Sequence, residues 1–348
     1  MPKRIVVPAP RELAWEEYAE PALAADEIRI KAEFAAAKHG TEMNVYKGRM
    51  HERGRYSEAL HLFEKPEETG AAWGKPTVGN MLVGEVVEKG AAAERFAVGD
   101  RVLCYSGFRE TVVKKNAGGE FQTAWKLPAG VPWQSAVCMD PADFALAALR
   151  DGQVRIGDAV AVFGLGAIGL IVVQLAKLAG AYPVFAVDML PRRLEAAKTC
   201  GADAVLDAKG ADVGRLLKEQ TGGRGVDVAI EYSASWQALQ AAIRGVAYGG
   251  TVVAGAAPSP YGAGLDLGAE AHHNLPKIVF SRACSQPDRD HPRWDNSRVY
   301  ETCWRLIQEG KIDGVPIVDP VVPFESLLTE YPKIDSEPQH SIKLGVKY

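Results

Sequence analysis

Lys38-His39-Gly40-Thr41-Glu42 gathers an amine, an imidazole, a hydroxyl and a carboxylate around one glycine, directly after the apolar residues 34–37. Such a set can bind a metal ion, move protons without one, or sit in an ordinary loop, and the segment alone leaves all three open. A second stretch, Gly164-Leu165-Gly166-Ala167-Ile168-Gly169, is a G-x-G-x-x-G. A chain with 35 glycines produces that pattern easily, so the context decides. Here it follows the strand-like "AVAVF" and opens a helical stretch, as a dinucleotide site requires. Gly164 permits the tight turn and Gly166 lets backbone N–H groups approach a pyrophosphate. Gly169 allows close helix–strand packing, and Ala167 and Ile168 open the helix whose positive end faces the phosphates. Asp188 ends the next strand, 19 residues after Gly169. A carboxylate there accepts bonds from both ribose hydroxyls and repels a 2′-phosphate, so the expected cofactor is NAD. Arg192 and Arg193 follow, with positive charge that can soften this preference.

The elements around these residues fall into three stretches. Residues 1–150 read as short strands punctuated by glycine and proline, among them "EIRIKAEFAAA", "MLVGEVVEKG" and "DRVLCYSGF". Residues 151–285 alternate apolar strands with helical segments, the pattern of a doubly wound α/β domain with a parallel sheet covered on both faces. Residues 286–348 return to proline-rich sequence with one clear helix, "SRVYETCWRLIQEG", and a β-rich end, "HSIKLGVKY". There is no internal repeat and no low-complexity tract.

Composition narrows the class. A chain of 348 residues, 47% hydrophobic, is long enough for two cores. Forty basic against 44 acidic side chains, with no block of like charge, point to neither nucleic acid nor a membrane surface. The first residues, "MPKRIVVPAPREL", lack a signal-peptide core. The longest apolar run is broken by the glycine loop and carries Lys177, which argues against a membrane span. Five scattered cysteines without a C-x-x-C suit a reducing cytoplasm.

With these motifs in place, nearly the whole chain resembles the medium-chain dehydrogenase/reductase superfamily, which contains the zinc alcohol, sorbitol and threonine dehydrogenases. "PTVGNMLVGEVVEKG" followed by "FAVGDRV" is similar to its catalytic-domain stretch, and "DAVAVFGLGAIGLIVVQLAKLAGA" to its cofactor loop. "GVDVAIEYSAS" and "GGTVVAGA" are similar to its later strands. The resemblance implies a Rossmann domain plus a GroES-like, partly open β-barrel catalytic domain, closed by the C-terminal segment, with substrate in the cleft between domains. It also implies a homo-oligomer, dimer or tetramer, with edge strands near "GTVVAG" and "KIVFSR" as contacts.

Against the family pattern, the departures are chemical. His39 stands where the family has its first zinc ligand, a cysteine, and is followed by Gly40, Thr41 and Glu42. Gly79-Asn80-Met81 replaces the Gly-His-Glu that supplies the second ligand, while Asp140 precedes Pro141 at the position of a third. The lobe of four cysteines is absent. Amide oxygen and thioether are poor substitutes for imidazole and thiolate, so the expectation is a site with no metal. The resemblance then gives Thr41 the hydroxyl that bonds the substrate oxygen, with Lys38 and His39 as candidate bases. In the reverse direction the same cations polarise a carbonyl. Asn80 is read as a substrate or relay hydrogen bonder, and Asp140 as a group that orients His39 or binds a substrate hydroxyl. The charge-rich loops at 46–56 and 281–295 tilt the reading toward a polyhydroxylated small molecule, a sugar, polyol or cyclitol. The competing readings are a zinc polyol dehydrogenase with rearranged ligands, an enoyl reductase, and a catalytically inactive NAD-binding protein.

Overall fold

From Val160 to Gln308 strands and helices alternate in the order that the apolar runs suggest, after a first stretch made almost wholly of strands. The computed structural model describes residues 1–49, 54–64, 74–118, 123–258, 260–261, 264–283 and 288–348. His51 and Arg53, and residues 284–287, from the two charge-rich loops, lie outside the described residues.

The chain divides into two compact units: Met1–Pro128 with Pro320–Tyr348, and Ala129–Asp319. In unit one the strands are β1 (Lys3–Val6), β2 (Ala14–Glu17) and β3 (Glu27–Ala36), followed by helix α1 (His39–Tyr46). Then come β4 (Arg55–Ser57), β5 (Leu62–Glu64), β6 (Met81–Lys89), β7 (Arg101–Tyr105), β8 (Thr111–Lys115) and β9 (Ala124–Lys126). In β3 the residues Ile28, Ile30 and Ala32 alternate inward and are buried, as a strand with one face on a core requires. One edge of β3 pairs with β6 along its length. The other edge is shared, its first half with β8 and its end with the C-terminal strand Lys343–Lys347. Splitting an edge between two partners bends the sheet into a partly open barrel. Its core includes Ile5, Ile28, Leu82, Phe108, Tyr331 and Val346.

Unit two begins with helices α2 (Trp133–Ala136) and α3 (Met139–Asp151). It continues β10 (Val160–Phe163), α4 (Ala167–Leu178), β11 (Val184–Asp188), α5 (Pro191–Thr199), β12 (Ala204–Asp207) and α6 (Val213–Gln220). It goes on to β13 (Val226–Glu231), α7 (Trp236–Gly245), β14 (Val246–Ala254), α8 (Glu270–Asn274), β15 (Lys277–Phe280) and α9 (Asn296–Gln308). All pairings are parallel, in the order β12-β11-β10-β13-β14-β15. That is the strand order of a dinucleotide-binding sheet, whose ligand site lies beyond the carboxyl ends where the order reverses. All four residues of β10 are buried, as expected for a central strand covered on both faces. Residues 129–150 and 288–319 both belong to this unit. Side chain–backbone bonds tie them in: Gln174 from α4 bonds the Asp313 backbone, and Ser135 from α2 accepts the Gly314 N–H. β14 lies inside the sheet, so of the two strands named as edge contacts only β15 is at an edge. The chain ends with β16 (Val318–Pro323) and β17 (Lys343–Lys347), which pair in the sheet of β3.

Candidate active site

Met81 opens β6 directly opposite Ala36 at the end of β3, and the Asn80 N–H donates to the Ala36 carbonyl at 3.0 Å. This ladder brings Asn80 to the Lys38–His39 turn. Lys38, His39, Thr41 and Asn80 therefore all lie in unit one, on adjoining segments of the chain. The segment is the start of α1 rather than a loop: Lys38 is the residue before its first turn, and Thr41 is exposed in that turn. Lys38 and His39 are half-buried.

The C-terminal strand fixes the imidazole. The Leu344 N–H donates to His39 Nε2 at 2.9 Å, so the neutral ring carries its hydrogen on Nδ1. This bond occupies the lone pair that a base or a metal ligand would use at Nε2. Its neighbour Lys343 is buried and donates from Nζ to the Ala37 carbonyl at 2.7 Å.

Glu42, noted in the sequence only as part of the cluster, is buried. Its carboxylate accepts the Lys38 N–H, the Gly79 N–H at 2.9 Å and the Tyr331 hydroxyl at 3.0 Å. Burial pushes its carboxyl above the ordinary value, against the opposing pull of these donors and of the Lys343 charge. Reaching back to the N–H before the first turn is the capping-box interaction, made here one residue later than usual. Gly79 enters β6 at φ +103°, and a Cβ there would lie 2.4 Å from the Phe108 nitrogen, so the turn demands glycine. The turn presents Asn80 with its backbone tied on both sides, to Ala36 and to the Ser106 N–H. Its Oδ1 is buried and meets no donor among the described residues. An orphan acceptor of this kind costs about 1–3 kcal/mol, a cost that a donor from a bound molecule would remove.

In unit two the three glycines differ in what a side chain would meet. At Gly164, φ is +86° and a Cβ would lie 2.5 Å from the Ser233 nitrogen. At Gly169 it would lie 2.0 Å from the Gly164 carbonyl oxygen. At Gly166 it would meet nothing within 4 Å, so this residue faces open space at the start of α4. Helices α6, α7 and α9 are capped by Asp212, Ser235 and Asp295, whereas α4 begins at Gly166 with no side-chain cap. Its first N–H groups, at Ala167, Ile168 and beyond, suit the phosphates of a dinucleotide. Asp188 accepts the Leu165 N–H at 2.7 Å and the N–H groups of Met189 and Leu190, and Arg193 lies 3.7 Å from its Oδ2. Arg192 instead pairs with Asp319. Glu231, which the sequence did not flag, is buried and bonds Ser233 and Ala234, shaping the turn against which Gly164 packs. Burial pushes its carboxyl up as well. The residues present fit a dinucleotide.

Asp140 lies in unit two, buried in the first turn of α3. The charge of the later loop is largely absorbed within the same unit. Arg150 pairs with Asp290, Arg289 with Asp151, and Trp294 stacks between Arg150 and Arg298. In the earlier loop Lys47 pairs with Asp335.

Comparison with known proteins places this geometry. D-guloside 3-dehydrogenase of Escherichia coli (strain K12) is 43% identical over 351 aligned residues, covering 99% of this chain and 100% of that one. The chain is a medium-chain dehydrogenase/reductase. The family model described as zinc-binding dehydrogenase matches residues 167–280. A short chain alcohol dehydrogenase from E. coli CFT073, complexed with NADH, shares the fold at a TM-score of 0.77 and 20% identity, covering 100% of this chain and 99% of that one. A chain from Sinorhizobium meliloti 1021 bound to NADP does so at 0.76 and 20% identity, with the same coverage. The matched residues of this medium-chain dehydrogenase/reductase include neither position 39 nor position 80. Among the described residues no group of three or more His, Cys, Asp or Glu side chains is arranged to hold a metal ion. With His39 Nε2 engaged by Leu344, and Asn80 and Met81 in place of imidazole and carboxylate, the donor set at the positions that the resemblance assigns to ligands does not fit zinc.

Proposed function

We propose that this dehydrogenase oxidises a secondary hydroxyl of a sugar, polyol or cyclitol, or reduces the corresponding ketone, using NAD and no metal. The observation that carries the reading is Asn80: a buried amide oxygen that meets no donor among the described residues, at the position where the family resemblance puts a zinc ligand. A polyol supplies hydroxyl donors for such an acceptor, and a relative named for oxidation of a D-guloside points to the same substrate class.

Unit two holds the dinucleotide through Gly164, Gly166, the first N–H groups of α4 and Asp188. When bound, the nicotinamide accepts or returns the hydride. Unit one handles the proton. Thr41 Oγ1 bonds the reacting oxygen and passes its proton to Lys38. His39, fixed by Leu344 as the Nδ1–H form, acts as a neutral donor. We place the reaction in the cytoplasm, since none of the four described cysteines forms a disulfide.

The test is steady-state oxidation of a D-guloside with Lys38→Met and Thr41→Val. Each is expected to lower kcat by on the order of 10²–10⁴-fold, the usual range for general acid–base groups, with NAD affinity nearly unchanged. Wild-type turnover in both variants would remove the acid/base assignment.

A further inference from the structure

We infer that Glu42 is a positioning residue for hydroxyl oxidation, holding Lys38 and Asn80 in fixed relation through its enclosed carboxylate. The inference rests on the reading above, which puts the proton-handling groups at those positions.

Glu42 is 6% exposed. Oε1 accepts the Lys38 N–H at 2.5 Å, and Oε2 accepts the Gly79 N–H at 2.9 Å and the Tyr331 O–H at 3.0 Å. One carboxylate thus joins the residue before α1, the turn that presents Asn80, and a tyrosine 289 positions further along the chain. Tyr331 is itself fixed, edge-on against Tyr46 and Phe108. Close by, Lys343 Nζ holds the Ala37 carbonyl.

A carboxylate only accepts hydrogen bonds, and here three donors converge on it. An amide of the same shape would turn an N–H toward one of them, the Lys38 N–H if its oxygen stayed with Gly79 and Tyr331. Lys38 would then move relative to Asn80. Displacements of about 1 Å at a reacting centre cost up to ~10²-fold in rate.

The experiment compares the full-length protein, saturated with NAD and given a D-guloside, as wild type, Glu42→Gln, Tyr331→Phe and Lys38→Met. Glu42→Gln is expected to lower kcat by about 10–100-fold, with KM and NAD affinity changed by less than about twofold and near-ultraviolet circular dichroism retained. Tyr331→Phe, which removes one of the three donors and keeps the ring packing, should lower kcat by less, about 2–10-fold. Wild-type kcat in Glu42→Gln overturns the inference. If Glu42→Gln fails to fold, Tyr331→Phe decides: a fall in kcat at constant KM supports the inference, and wild-type kcat overturns it. Lys38→Met separates the two levels of the argument. Loss of turnover there with none in the Glu42 and Tyr331 variants leaves the site reading intact and removes Glu42 alone. Unimpaired turnover in Lys38→Met removes Lys38 as the proton acceptor, and with it the group that Glu42 is inferred to hold.

Discussion

Asp188 accepts N–H bonds from Leu165, Met189 and Leu190 and so anchors the glycine loop, and we propose that it also meets the ribose. Replacing it by alanine would disturb both roles. Asp188→Asn removes the charge that opposes a 2′-phosphate and keeps one oxygen acceptor, for Met189 and Leu190, while its NH2 then faces the Leu165 N–H. Two charges about 4 Å apart interact by ~1 kcal/mol in water and several times that near a protein surface. The preference for NAD over NADP should therefore narrow by about tenfold or more in the variant. Fluorescence titration of both reduced cofactors checks this, and an unchanged ratio would remove Asp188 as the discriminating residue. At this scale the sequence was most informative where a motif is local. The three glycines and Asp188 lie within 25 residues and could be assigned roles from their spacing together with the flanking strand and helix. The fixing of His39 by Leu344, 305 positions away, and of Glu42 by Tyr331 could not. No local pattern encodes which distant backbone N–H or hydroxyl will arrive.

The start of α4 shows how one element separates folding from binding. Gly169→Ala would put a methyl 2.0 Å from the Gly164 carbonyl, so the helix must shift off the strand. Overpacking of this kind typically costs about 1–3 kcal/mol. Gly166→Ala meets nothing within 4 Å in the protein, yet it fills the space a pyrophosphate would approach. Thermal unfolding without cofactor should thus be near wild type for Gly166→Ala and lowered for Gly169→Ala, while NAD affinity falls in Gly166→Ala. Equal loss of stability in both variants would contradict the cradle assigned to Gly166. The strands and helices of the parallel sheet were legible because buried apolar runs alternate with amphipathic stretches. α3 was not, because ten of its 13 residues are buried and no polar face remains to set a helical period. α1 was hidden for a different reason: eight residues with little apolar periodicity form a helix held by a buried carboxylate.

For the molecule as a whole, the alternation of elements and the family resemblance gave the α/β class, but not where the chain passes from one unit to the other. Apolar periodicity cannot tell a helix covering one core from a helix covering the next. The six-stranded parallel sheet ends at β15, where Ile278 and Phe280 are exposed, the latter at 71%. An apolar edge strand of this kind invites pairing with a second copy, and we propose a homo-oligomer through this edge. Sedimentation should show a dimer or tetramer, and Phe280→Lys should shift the protein toward monomer. A wild-type monomer at working concentration would refute the proposal. The central claim, that this dehydrogenase moves a hydride and a proton without a metal, depends on the donor chemistry at positions 38 to 42 and 80. Its most direct test is the rate of NAD reduction by a D-guloside after exhaustive chelation, with zinc counted in the same sample. Undiminished turnover with far less than one zinc per chain is the expected result. Turnover abolished by chelation and restored by zinc would contradict it.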